Sequence, residues 1–172
     1  MRRYALVFAA VAMVLGSGCQ ATGMGSILSL TFPTDKATFG FVLDGTTMTF
    51  SGSYHDPQGQ TVFGVVDVAF KGTGVLRPCR AGEPTCAKAP VNGPKGGCLF
   101  GDLSYTSQNP HVPDIAPAEL QRLSLLVCDS DGEFGSASPF PDDFMFISAN
   151  TGPYEGYSNA GTPSGSITVK ST

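Results

Sequence analysis

The sequence predicts an all-β fold, an antiparallel β-sandwich or partly closed barrel of roughly eight short strands with a disulfide-braced loop. Three observations lead there. Apolar and polar residues alternate with a period of two in several segments, which no helix reproduces. The chain of 172 residues carries 22 glycines and 13 prolines, so turns interrupt it at short intervals. Helix-favouring runs of Ala, Leu, Glu and Lys are scarce beyond the first 18 residues.

The opening residues, MRRYALVFAAVAMVLGSGC, combine the cations Arg2 and Arg3, an apolar run over 4–15, and small residues before Cys19. This pattern is that of an export signal, and its apolar run is far shorter than the roughly 20 residues needed to cross a bilayer. Small residues ahead of a cysteine resemble the lipobox of bacterial lipoproteins. The resemblance implies diacylation of Cys19, with palmitate among the acyl chains, and cleavage after residue 18. Gly16 stands where lipoboxes usually carry Leu, and Leu15 is one place upstream. Ordinary cleavage near Gly18 or Ala21 with full secretion is the alternative, and a twin-arginine route matches poorly. Either way an extracytoplasmic location is expected, on the cell membrane or outer membrane if the anchor forms. Residues 19–26 read as a flexible tether and 27–172 as a single domain.

Leu28, Leu30 and Phe32 alternate with Ser29 and Thr31, as Phe39, Phe41 and Leu43 do with their neighbours. In TTMTFSGSY, Met48, Phe50 and Tyr54 share one side and the hydroxyl residues take the other. A turn through Asp56, Pro57 and Gly59 follows, and 62–71 returns as a β-branched strand, so the two segments predict a hairpin. Residues 77–97 hold Pro78, Pro84, Pro90 and Pro94 and are expected as a loop. Strand character resumes at 98–105 and 123–128, with one short helical turn at 117–122 between them. Residues 129–143 are turn-rich, 144–148 and 167–170 close the set, and the GTPSG before the last strand reads as a hairpin turn.

Cysteines number five. Setting Cys19 aside leaves Cys79, Cys86, Cys98 and Cys128, an even set that an oxidising compartment can pair in three ways. Spacing ranks Cys79 with Cys86 and Cys98 with Cys128 first. Zinc is disfavoured because no CxxC pair or finger-like histidine spacing occurs.

The formal charge of −4 becomes two units more negative without Arg2 and Arg3, which argues against a nucleic-acid partner. Arg77, Arg80, Lys88 and Lys95 cluster in the long loop, whereas 102–155 is acidic with Arg122 as its only cation. Catalytic material is thin: His55 and His111 are the only histidines, and no GxSxG elbow follows the signal. His55 beside Asp56, and His111 in a loop, are expected as solvated turn residues. Asp142 and Asp143 are adjacent rather than opposed, unlike a glycosidase pair. Asp129, Asp131 and Glu133 in DSDGE set hard oxygens around Gly132, the chemistry of a weak surface calcium site, although an acidic turn between strands is the favoured reading. With no Trp, sugar stacking would fall to Tyr54, Tyr105, Tyr154 and Tyr157, of which the last two are expected to pack rather than bind.

ATFGF at 37–41, GSYHD at 52–56, the stretch from DSDGE to DDFMFI, and the closing GYSNAG with SITV together resemble the post-COAP family of exported bacterial β-domains. Asp131, Gly132, Asp143, Phe144 and Ile147 are the positions that match its turn and strand, while the 79–98 loop departs from it. The resemblance implies an all-β module of surface or secreted proteins and supplies no catalytic residues. A surface binding or structural module, with an envelope protein or polymer as partner, is therefore the first expectation. An extracytoplasmic hydrolase or carbohydrate-active enzyme is the second.

Overall fold

A computed structural model describes residues 19–79, 97–129 and 143–169. Ten strands form one antiparallel sheet that curls into a half-barrel. They are β1 (Cys19–Leu28), β2 (Lys36–Asp44), β3 (Thr49–Thr61), β4 (Gly64–Val75), β5 (Arg77–Pro78), β6 (Gly97–Ser107), β7 (Arg122–Asp129), β8 (Phe144–Ala149), β9 (Ser158–Gly161) and β10 (Ser164–Val169). The spatial order is β10-β1-β2-β3-β4-β6-β7-β8-β9, with β5 paired beside β6. A single 3-10 turn, Ala118–Leu120, lies where the short helical turn was expected.

Alternation drives the curl. Phe39, Phe41 and Leu43 on β2, Phe50 and Tyr54 on β3, Leu99, Leu103 and Tyr105 on β6, and Leu123, Leu125 and Val127 on β7 all point inward and are buried. The core is aromatic on one side, where Tyr54 and Phe70 stack with ring centroids 5.4 Å apart and Tyr105 and Tyr154 with centroids 5.9 Å apart. Among the described residues the interior holds an apolar cavity of about 10 Å³. That is near the lower limit for one water molecule, so side chains fill the half-barrel.

Four expectations are corrected. Residues 19–26 are a strand and no tether: Ala21 to Ser26 pair with β10 on one side and β2 on the other. Their small size serves packing, because a Cβ on Gly23 would lie 2.3 Å from a ring carbon of Phe41. The alternation at 28–32 has the opposite sense, with Ile27 and Ser29 buried and Leu28, Leu30 and Phe32 exposed. The turn expected at 55–60 is a bulge between Asp56 and Gly59 inside β3. Chain reversal falls instead at Val62 and Phe63, where Thr61 Oγ1 accepts from the Phe63 N–H and donates to the Gly64 carbonyl. Finally, GTPSG makes no hairpin, for β9 and β10 run in the same direction and pair on opposite edges of the sheet, β9 with β8 and β10 with β1.

This last feature closes the fold as far as it closes. The 158–169 stretch begins against β8, passes Thr162 and buried Pro163, and ends against β1. No backbone ladder joins β10 to β7 or β8. Carboxylates substitute for it: the Ile167 N–H donates to Asp143 Oδ2 and the Val169 N–H to Asp129 Oδ2, both at 2.6 Å. Two donors on the far side of an edge strand are thereby satisfied without a neighbouring strand.

The expected Cys98–Cys128 disulfide is present, between directly opposed residues of β6 and β7 separated by 30 positions. It faces outward, under Leu126, Phe100, Phe144 and Phe146, and Arg77 lies 5.6 Å over the Phe100 ring. By the chain-entropy relation a closed loop of this length contributes about 3.7 kcal/mol. Cys79 is also disulfide-bonded, while Cys86 lies outside the described residues.

If the two carboxylates close the sheet, Asp129→Ala should lower unfolding stability by about 1–3 kcal/mol in urea titration, and Asp129→Asn, which keeps an acceptor oxygen, should recover part of it. Equal stability of wild type and the alanine variant would remove the closing role.

Candidate functional site

Since every pairing in the sheet is antiparallel, the 29–35, 62–63, 108–121 and 150–157 connections gather at one end of the half-barrel. Cys19, the 45–48 turn, Cys79 and Asp129 lie at the other. Three groupings of polar side chains stand out from this frame.

Beneath the first end lies a buried relay. The Asp56 carboxylate is 1 % exposed. Its Oδ2 accepts from Ser29 Oγ at 3.0 Å and from the Tyr157 hydroxyl at 2.9 Å, and its Oδ1 accepts from the Gln58 N–H at 3.2 Å. Tyr157 gives its proton to Asp56, so the hydroxyl of Tyr54 donates to Tyr157, and Asn159 Nδ2 donates to Tyr54 at 2.8 Å. Every member has a partner, which is what keeps a polar chain inside an apolar core tolerable. Asp56 faces inward by the same alternation that buries Phe50 and Tyr54, and the bulge that follows it resets the alternation so that Gly59 and Thr61 face inward next. Burial holds the Tyr54 and Tyr157 hydroxyls well above the ordinary phenol value, helped at Tyr157 by the facing Tyr54.

A second set, Tyr105, Tyr154 and Ser107, ties β6 to the 150–157 connection. Tyr105 donates to the Thr151 carbonyl at 2.8 Å and accepts from the Tyr154 N–H at 3.2 Å. The Tyr154 hydroxyl donates to the Ala69 carbonyl at 3.0 Å and meets Ser107 Oγ at 2.7 Å. Burial pushes the Tyr105 phenol up to about 12. All four tyrosines expected as candidate stacking surfaces are thus inside, at 3 % exposure or less.

On the outer wall, His55 Nε2 lies 2.8 Å from Asp67 Oδ1, both side chains being half exposed. Its partner is therefore across the β3–β4 ladder, not the adjacent Asp56. Thr38 stands directly opposite His55 on β2. His111 is exposed in the 108–121 connection, where its N–H donates to Asn109 Oδ1.

Of the calcium candidates, Asp129 is buried and its Oδ2 is committed to the Val169 N–H, while Asp131 and Glu133 lie outside the described residues. Among the described residues no three His, Cys, Asp or Glu side chains converge as a metal site. Asp143, a position of the family resemblance, caps the Ile167 N–H, and Ile147 is core. No described helix is long and apolar enough to cross a membrane.

The outer wall over β10, β1, β2, β3 and β4 carries Thr22, Thr38, Ser51, Ser53 and Ser166 beside exposed Met24, Val42 and Lys71, and holds two open depressions of about 460 and 420 Å³ that meet at Met24 and Gly40. Sequence reading missed this surface because serines and threonines on the solvent face of a strand carry no signal of their own. The chain matches no known protein family, no curated protein and no solved structure.

Two outcomes follow from the buried phenols. Tyr157→Phe removes one donor from Asp56 and should cost about 1–3 kcal/mol in chemical denaturation. Phenols whose folded pKa lies above the unfolded value of about 10 favour the folded state fully below that pH. Stability should therefore hold to about pH 10 and fall as pH rises toward 12, with far-ultraviolet circular dichroism during urea unfolding as the readout. A flat profile over that interval would contradict the assignment.

Proposed function

We propose that the chain is an extracytoplasmic, lipid-anchored β-domain whose role is binding or structural, at the surface of the cell membrane or outer membrane. The observation that carries this reading is the cysteine inventory. A buried disulfide between Cys98 and Cys128, with Cys79 bonded as well, belongs to an oxidising compartment, and pairing of Cys79 with Cys86, which spacing ranks first, would make Cys19 the odd cysteine of the five. Cys19 follows a signal-like segment and is the first residue of β1. Two acyl chains there would anchor stably, whereas one would not.

Support for a binding role over an enclosed-ligand role comes from the packed interior, which leaves the outside of the sheet to meet a partner. The resemblance to exported β-domains of the post-COAP family agrees with this reading. A hydrolase or carbohydrate-active enzyme is the second reading, favoured by one observation, the His55–Asp67 pair beside Thr38 on an open surface.

Anchoring is tested by fractionation and intact mass. Wild type should pellet with membranes and carry a diacylglyceryl and acyl mass increment at Cys19, and Cys19→Ala should appear soluble without it. An unmodified N-terminus on wild-type protein in the culture fluid would replace the anchor by plain secretion.

A further inference from the structure

An anchored domain would ordinarily use residues 19–26 as a spacer, and here they are strand. Cys19 stands in register with Asp44 on β2, and from Ala21 onward β1 is paired on both sides, with β10 and with β2. A lipid on Cys19 is therefore joined to the sheet itself. The consequence is geometric, since a flexible linker lets a body drift from its anchor whereas a paired strand fixes both distance and direction.

The distances follow from strand geometry. Asp44 is one strand spacing from Cys19 and Thr46 two residues further along, so the 45–48 turn lies within about 10 Å of the anchor point. Leu28, nine residues on from Cys19, ends β1 and sets the opposite end of the half-barrel about 30 Å away.

The two ends differ in chemistry. At the Cys19 end the turn is small and polar: Asp44 Oδ1 accepts from the Thr46 and Thr47 N–H groups at 2.8 and 3.0 Å, and both threonines are exposed. Exposed apolar side chains gather at the other end, where Leu28, Leu30, Val62, Phe63, Ile115 and Leu120 are each more than half exposed. Bringing that end to the anchoring bilayer requires the body to lie flat on the flank of β1. Little there would draw it down. The exposed apolar residues of the flank are Met24 and Val42, set among Thr22, Ser51 and Ser166, and interfacial binding scales with the apolar area it buries.

We propose that the Cys19 end of the half-barrel rests on the bilayer with the 45–48 turn at headgroup level, and that the apolar end is held clear of that membrane. The inference rests on the lipidation of Cys19 and adds which face of the domain meets lipid. Threonine hydroxyls, which both donate and accept, suit the phosphate and glycerol groups at that depth, and no insertion into the acyl region is needed. Leu30, Phe63 and their neighbours are then displayed outward, at the height of the domain above its anchor.

The chain has no Trp, so single-Trp variants each report one place. Thr46→Trp puts the probe in the exposed turn and Phe63→Trp puts it at the far tip, and neither replaces a buried residue. Purified lipidated protein is reconstituted into vesicles of phosphatidylethanolamine and phosphatidylglycerol, with and without a lipid bearing a nitroxide on its headgroup. The nitroxide should quench most of the Thr46→Trp emission and leave that of Phe63→Trp close to its value in plain vesicles. A flexible Gly-Ser spacer inserted between Cys19 and Gln20 should abolish the quenching at position 46 while the protein still floats with the vesicles. Equal quenching at the two positions, an unquenched Thr46→Trp, or quenching that survives the spacer would each overturn the proposal. Intact mass on the same samples reads the acyl increment at Cys19, so failure of the orientation with lipid present is distinguishable from failure of the anchor.

Discussion

The whole architecture depends on one strand that changes sides. From β1 to β9 the chain needs only hairpin neighbours, and a simple meander of this kind would end as an open, curling sheet with two exposed edges. The passage from β9 to β10 brings the C-terminal stretch onto β1. What this leaves unpaired on the far side of β10 is met by Asp129 and Asp143. Carboxylate oxygens reach further than a backbone carbonyl, so they tolerate an angle between strands that a ladder would not. The half-barrel can then stay splayed at that seam while its edge donors remain satisfied.

The seam also accounts for the polar content of an otherwise aromatic interior. Asn159 sits on β9, shortly before the switch, and Tyr157, two residues earlier, belongs to the same buried relay with Tyr54 between them. The relay links β9 to β3 and, through Ser29, to the end of β1. Hydrogen bonds are directional where apolar contact is not, so this chain fixes which strands meet at the seam. The outer cluster around the Cys98–Cys128 disulfide does similar work on the opposite wall by covalent means.

Fold class, the Cys98–Cys128 bond and strands β2, β6, β7 and β8 were legible because each depends on local alternation or on spacing. Strand β1 was not legible. Its Gly23 and Gly25 look like linker residues until Phe41 and Ser164 are seen to press against them. The turn at Val62 and Phe63 escaped for the opposite reason, since its two tip residues favour strands and the reversal is held by the Thr61 hydroxyl and by Gly64 at a φ of 110°. His55 was seen as a turn residue because Asp56, Pro57 and Gly59 give a strong turn signal that the structure uses for a bulge. The Asp129 and Asp143 contacts, the relay and the outer-wall depressions all join residues distant in the chain, and neither periodicity nor spacing carries such information.

The pairing of β1 with β10 sets Ala21 against Val169, so the first described strand waits for the last. The hairpins between them can form as soon as each is available, but the closing contact spans almost the whole chain and is entropically the most expensive. Such a sheet has no closed state until β10 has formed. Hairpins made earlier therefore stay open-edged until β10 is in place, because closure is impossible from the N-terminal side alone.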